Sequence, residues 1–222
     1  MRKLQFIVFL FCCIVTNAQD IQPKLSLQRK PMSELELETR AKQGVVIESG
    51  VRIPLGKLAD KIGVSPELGF WWRHFIEENE MLDWGFSGYI YSNARAFDYR
   101  DTGASNKAKP IGMGGMTAFR LTKIYNLGRG KYKTDLEWVS TFGYSFFMYE
   151  DEYRPFNEVR PEDEDSRVRG LSAPVVGQGV RFTIENLGLY VNYNYSPYGK
   201  FSSHVEDDFG SHSLNLGIIY KP

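Results

Sequence analysis

The stretch Lys133-Thr-Asp-Leu-Glu-Trp-Val-Ser-Thr-Phe-Gly-Tyr-Ser-Phe-Phe-Met-Tyr-Glu150 decides the fold. Its even positions, Leu136, Trp138, Ser140, Phe142, Tyr144, Phe146 and Met148, are almost all large and apolar, while Asp135, Glu137, Thr141, Gly143 and Ser145 fall on odd ones. A period of two sustained over that length is a strand with one greasy and one polar face. Ordinary strands run about five or six residues, whereas one crossing a bilayer at a tilt needs roughly 9 to 11. This strand is long enough to cross.

Working outward, residues 44–222 divide into eight such segments. Strands are expected at Gly44 to Leu55, Ser65 to Ile76, Leu82 to Phe97, Pro110 to Leu127, Lys133 to Glu150, Leu171 to Asn186, Leu187 to Phe201 and Ser211 to Tyr220. The connections alternate. Gly56 to Val64, Asp98 to Lys109, Asp151 to Gly170 and Ser202 to Gly210 are long, and the tight ones are Glu77 to Glu80, Gly128 to Tyr132 and Glu185 to Gly188. A soluble sandwich has no reason to keep that asymmetry. An outer-membrane barrel does, with short periplasmic turns and longer outer loops. The expected fold is therefore all-β, a closed eight-stranded antiparallel transmembrane up-and-down β-barrel. A soluble lipocalin-like barrel is the alternative, and it would need apolar residues inside and charges outside.

Parity tests this choice strand by strand. Leu68, Phe70, Trp72 and Ile76 share one face of the second segment; Leu82, Trp84, Phe86 and Ile90 of the third; Ile111, Met113, Phe119 and Leu121 of the fourth. Val180, Phe182 and Ile184 do so in the sixth, Leu187, Leu189, Val191, Tyr193 and Tyr195 in the seventh, and Leu214, Leu216, Ile218 and Tyr220 in the eighth. The opposite faces carry Glu48, Arg52, Glu67, Arg73, Asp83, Arg120, Asp135, Glu137, Arg181 and Glu185. An Arg turned to lipid at mid-depth costs roughly 2 to 4 kcal/mol, so the charged face is the inward one. Eight strands leave an interior just wide enough for side chains to fill. The inward set reads as a paired ion network that plugs the barrel, with a charged conduction path or proton relay as the sharper alternative. Trp84, Trp138 and Tyr220 are expected near the periplasmic interface, and Tyr149, Tyr195 and Tyr198 near the outer one, as two aromatic girdles.

Composition agrees mainly by what it omits. Mean hydropathy is −0.35, which alone describes a soluble chain, but barrel strands hide from such averages because alternate residues face inward. Residues 1–18 read as a secretory signal peptide: Arg2 and Lys3, an apolar run from Leu4 to Val15, and Thr16-Asn17-Ala18 before Gln19. Its removal takes both cysteines, Cys12 and Cys13, so the mature chain has no thiol for a disulfide or metal site. Without Arg2 and Lys3 it holds 25 basic and 27 acidic residues, which gives no electrostatic footprint for nucleic acid. Residues 19–43 form a polar periplasmic lead-in, either a short helix or an extended arm, and read as a linker rather than a partner-binding arm.

At its end the chain resembles a known group. Asn215-Leu-Gly217-Ile-Ile-Tyr220 is similar to the polar-x-Gly-x-x-aromatic signal by which outer-membrane barrels engage their assembly machinery. The usual signal continues with one more residue and a final aromatic, whereas Lys221 and Pro222 follow here. With the leader and the eight segments, the chain resembles the small barrels of the OmpA-barrel, OmpX and OmpW kind, and its Asn-Ala-Gln junction resembles exported proteins of Bacteroidota. The resemblance implies assembly into the outer membrane, in contact with lipid and lipopolysaccharide, but no particular activity.

Enzymatic and metal readings find little. A lipid-modifying deacylase needs Ser, His and a carboxylate together. Ser203, His204 and Glu206 share one loop, but adjacency is not geometry. His212 points away from Ser211 and Ser213 if all three are in a strand. Three scattered histidines make no metal site, and no cofactor is expected. The loop from Asp151 to Gly170 carries seven carboxylates (Asp151, Glu152, Glu158, Glu162, Asp163, Glu164 and Asp165) against Arg154, Arg160, Arg167 and Arg169. It is a solvated charged loop, or else a surface for divalent cations, lipopolysaccharide or a protein partner; for the chain as a whole the expected protein partner is a surface or periplasmic one. The expected role is non-enzymatic, structural or surface-interacting. A narrow transport barrel for a small or apolar solute is the alternative, and a lipid-modifying enzyme comes third.

Overall fold

Strands form wherever the period of two persists. In a computed structural model, the described residues are 44–56, 59, 62–77, 79–91, 96–101, 104–127, 132–151, 168–206, 209 and 212–222. The leader, the lead-in and nearly all of the acidic loop lie outside them. The strands are β1 (Gly44–Leu55), β2 (Ser65–Glu77), β3 (Glu80–Tyr91), β4 (Phe97–Asp101), β5 (Ala104–Asn126), β6 (Thr134–Asp151), β7 (Val168–Ile184), β8 (Leu187–Tyr195) and β9 (His212–Tyr220). All pairings are antiparallel between neighbours in sequence, with β1 also paired to β9 and β3 to β5. Those two extra pairings close a ring, and the fold is an eight-stranded antiparallel up-and-down β-barrel. The short strand β4 stands outside the ring on the extended end of β5.

Two expected segments end differently. The third was expected to reach Phe97, but β3 stops at Tyr91, and Phe97 begins β4, which pairs with residues 104–108. The expected connection Asp98 to Lys109 is thus largely a hairpin rising beyond the ring. Its register breaks between Ala108 and Gly112, where Pro110 has no N–H to give the ladder. The seventh segment was expected to reach Phe201, yet β8 stops at Tyr195. Pro197 precedes a single helical turn, α1 (Tyr198–Phe201), because proline cannot donate to a ladder but suits a helix start. The tight turns place Asn79 at φ 67 and Glu185 at φ 53, a left-handed backbone that hairpin connections require.

Parity in β6 follows the sequence. Trp138, Phe142, Tyr144 and Phe146 are exposed, and Asp135, Glu137, Thr141 and Ser145 are buried. Along the strand, the twelve steps from Leu136 to Met148 span about 40 Å at ~3.3 Å per residue. Tilted at roughly 45°, that is about 28 Å of height, close to the ~25 Å apolar band of barrels that cross a membrane. The other strands extend the band with Leu68, Phe86, Phe119, Val180, Leu189, Val191 and Ile218.

The inside is layered. Toward the open ends of the strands, Tyr89, Tyr91, Phe97, Tyr99, Phe147, Tyr149, Leu171, Tyr198 and Phe209 form an apolar cluster. Phe147 is its hub, stacked on Tyr91 at 4.9 Å and edge-on to Phe209 at 5.7 Å. Tyr149 and Tyr198, expected in the outer girdle, belong here instead, 2% and 1% exposed. Beyond β8 the chain turns inward through α1, and Tyr149 takes the inward parity of Glu137, so neither ring faces out. Tyrosines lock this wall: Tyr89 and Tyr91 on β3 lie across Gly114 and Gly112 on β5, where any Cβ would collide with their hydroxyls at 2.3 and 2.2 Å.

Candidate interior charge network

Below the aromatic cluster, toward the short turns, the inward charges converge. Glu48, Arg52, Glu67, Arg73, Asp83, Arg120, Asp135, Glu137 and Arg181 are all buried, none more than 6% exposed. Each occupies an inward parity position, so sheet geometry alone points them into the lumen.

Two arginines from opposite walls organise the centre. Arg73 on β2 makes two forks: Nε and Nη2 donate to Asp83 at 2.7 and 3.0 Å, and Nη1 and Nη2 to Glu137 at 2.9 and 3.0 Å. Arg181 on β7 reaches the same carboxylates, with Nη1 2.8 Å from Asp83 and 3.4 Å from Glu137, and Nε 3.0 Å from Glu48. Arg120 on β5 donates to Glu48 at 2.8 Å and lies 3.4 Å over the Trp71 ring, whose Nε1 also donates to Glu48 at 3.1 Å. Thr122 adds a hydroxyl to Asp83 at 3.2 Å. Three carboxylates and three guanidiniums from β1, β2, β3, β5, β6 and β7 thus hold one another across the lumen. Each burial is tolerable because the charge is paired and fork geometry satisfies most of its polar atoms.

Lys221, just past β9, turns inward under this cluster and donates from Nζ to Glu137 at 2.5 Å and to Thr183 at 3.1 Å. Burial pulls its ammonium below the ordinary lysine value, with Glu137 opposing that shift. Above the cluster, Glu67 accepts from Ser87 at 2.7 Å and from the Asn215 amide. Arg52 sits 4.4 Å over the Tyr89 ring. Burial raises the Tyr198 hydroxyl above its ordinary value, with the Arg52 cation opposing.

Two of the expected inward charges stand apart. Glu185 is exposed in the β7–β8 turn, where its left-handed backbone turns it out of the ladder, and it accepts from the Lys133 backbone N–H at 2.8 Å. Asp135 is buried but too near the mouth for the arginines, and its charged partner is Lys133 at 3.3 Å. Trp71, Lys221 and the aromatic cluster were missed. The run Phe70-Trp71-Trp72 hid the first because both parities are aromatic there.

The three positions of the expected assembly signal lie on β9 with different surroundings. Asn215 points inward, Tyr220 is 41% exposed on the outer face, and Gly217 faces Gly50 across the β9–β1 seam. The three histidines have different surroundings. His74 accepts from Trp84 Nε1 at 3.0 Å and His212 contacts the Tyr193 hydroxyl, both on the outer face, while Ser213 points in. The His204 backbone donates to Ser202 Oγ at 3.2 Å. Among the described residues no group of three His, Cys, Asp or Glu could hold a metal ion.

No family model matches the chain, and no curated protein matches it in sequence. Solved structures do resemble it. The attachment invasion locus protein Ail of Yersinia pestis, in complex with the heparin analogue sucrose octasulfate, is 12% identical, with 81% of this chain and 97% of that one covered at a TM-score of 0.44. The N-terminal β-barrel domain of Pseudomonas aeruginosa OprF is 10% identical, with 80% and 98% covered at a TM-score of 0.39.

Proposed function

We propose that this chain is an integral outer-membrane barrel with a non-enzymatic role, structural or surface-interacting, its lumen closed by the charge network and the aromatic cluster. The observation that carries it is the inversion of burial. Arg120, Arg181, Asp83 and Glu137 are at most 1% exposed, while Phe119, Phe142, Leu189 and Ile218 are at least half exposed. A water-soluble barrel hides the second set and shows the first. In lipid the exposed ring is the favoured surface, and closure leaves no unpaired strand edge within the ring.

Trp72, Trp84, Trp138 and Tyr220 ring the short-turn end of the outer face, with Trp72 and Trp84 stacked at 4.9 Å. Amphipathic rings at one level suit a bilayer interface. Glu80 and Lys123, 3.7 Å apart and both about half exposed, mark where charge resumes below it. The partners that follow are membrane lipid and lipopolysaccharide around the band, the assembly machinery through Asn215, Gly217 and Tyr220, and a surface or periplasmic protein.

Planar-bilayer recording on the purified, refolded chain tests the closed lumen. Insertion without steady conductance is expected, and a steady ohmic step would favour the narrow transport barrel. Mass spectrometry of lipid A with and without the gene tests the non-enzymatic part, and an altered acyl pattern would overturn it.

A further inference from the structure

The short-turn mouth opens into a cleft of about 130 Å³. Arg73, Lys133, Lys221, Asp135, Glu137 and Glu185 line it, along with the first residues of β1. Most of that charge is already spent inside the wall. Glu137 takes the Arg73 fork and Lys221, and Glu185 takes the Lys133 backbone N–H. Asp135 is different. Its side chain is 9% exposed, its Oδ2 lies 3.3 Å from Lys133 Nζ, and its Oδ1 is buried with no hydrogen-bond partner. A buried carboxylate oxygen left unpaired is costly, so the capacity remaining in this cleft is for a donor.

The geometry points to a site for a protonated primary amine in this mouth, its ammonium donating to the Asp135 carboxylate as the Lys133 Nζ moves off it. The size fits. With water occupying ≈ 30 Å³, the cleft holds the equivalent of about four waters, enough for an ethylammonium-sized group. The carboxylate is covered on its Oδ2 side by a lysine whose side chain is 53% exposed, so that Nζ can swing into solvent as a ligand enters. A metal ion suits the cleft less, because no set of three metal-ligating side chains converges among the described residues. Donation through N–H distinguishes the site from general attraction for cations, since a quaternary ammonium carries the same charge and no proton to give. The amine is either free in solution or the ethanolamine head of a lipid at the same level, and both present the same group.

Amide chemical shifts of the refolded chain in phosphatidylcholine nanodiscs, titrated with ethylammonium chloride and separately with tetramethylammonium chloride, test the site. Saturable shifts in the millimolar range, confined to residues 133–137 and 185–186, are expected with the first salt and not the second. Asp135→Asn is expected to weaken binding at least about tenfold, the loss of a charge-assisted bond. Lys133→Met, which removes the tethered competitor, is expected to tighten it. Equal responses to the two salts, no saturation, or an unchanged affinity in a correctly folded Asp135→Asn would each overturn the site. No saturation would mean that the oxygen holds only a water. Nanodiscs containing phosphatidylethanolamine separate the sources: pre-shifted amides that ethylammonium no longer moves identify the lipid head, and unshifted amides that still titrate identify the free amine.

Discussion

Arg181 is the side chain whose loss the interior can least absorb. It is fully buried and touches Glu48, Asp83 and Glu137. Arg181→Met leaves three carboxylates sharing Arg73, Arg120 and Lys221, and breaking a buried ionic network by removing one partner costs about 3–5 kcal/mol. Arg120→Met is expected to cost less, about 1.5–3 kcal/mol, because Glu48 keeps Arg181 and the Trp71 N–H. Lys221→Met should cost least, about 1 kcal/mol, since Lys221 is partly exposed and Glu137 keeps the Arg73 fork. Urea unfolding from lipid vesicles reads all three, and the ranking is the prediction. If Lys221→Met proved as damaging as Arg181→Met, the mouth rather than the centre would hold the lumen. Inward charge was readable from parity within the strands, but not at Glu185, which the β7–β8 turn leaves exposed. Which carboxylate meets which arginine was not readable, because strand register and tilt set those distances across the lumen.

At the level of elements, the barrel depends on how β9 closes on β1. Gly50 and Gly217 face each other there. A Cβ on Gly217 would stand 2.3 Å from the Ser49 carbonyl and 2.5 Å from the Gly50 Cα; one on Gly50 would stand 2.2 Å from the Leu216 carbonyl. Tyr190, paired with Gly217, brings its hydroxyl to 2.8 Å from that same Gly50 position. Backbone cannot step aside as a flexible side chain can, so Gly50→Ala and Gly217→Ala are each expected to lose about 1–3 kcal/mol. Gly44→Ala, with nothing within 4 Å, should lose almost nothing. If Gly217 also belongs to the assembly signal, only Gly217→Ala slows machinery-assisted insertion, and equal slowing by both would assign the effect to the seam alone. The seam was half legible: Gly217 stood out in β9, whereas nothing near Gly50 announced its partner. The aromatic cluster was illegible for a different reason. A parity test looks for one greasy face, and Phe146-Phe147-Met148-Tyr149 is greasy on both, so the alternation that identified β6 stops carrying information at its outer end. β4 and α1 escaped for a related reason, since short apolar alternation continues past the barrel rim and periodicity does not say where a ring ends.

For the whole molecule, the outer band and the filled lumen make separate claims. The band predicts a gradient with depth. Leu189→Arg, two residues into β8, should cost more than Leu187→Arg at the turn, where the cost falls to about 0–1 kcal/mol, and Val191→Arg further in should approach about 2–4 kcal/mol. A flat profile in vesicle unfolding would remove the bilayer from the account. In the proposed closed lumen two barriers lie in series, the ionic centre and then the aromatic cluster around Phe147. These seals draw on different chemistry, so emptying one leaves the other. Removing charges in matched pairs, Arg181→Ala with Glu48→Ala and Arg73→Ala with Glu137→Ala, keeps the net charge unchanged and opens space in the lower lumen. Because Phe97, Phe147, Tyr149 and Phe209 stay in mutual contact above, that variant is expected to remain non-conducting. Adding Phe147→Ala removes the hub of the upper seal and should bring the first steady conductance in planar bilayers. Conductance from the charge variant alone would place the entire barrier in the ionic centre and reduce the aromatic cluster to packing.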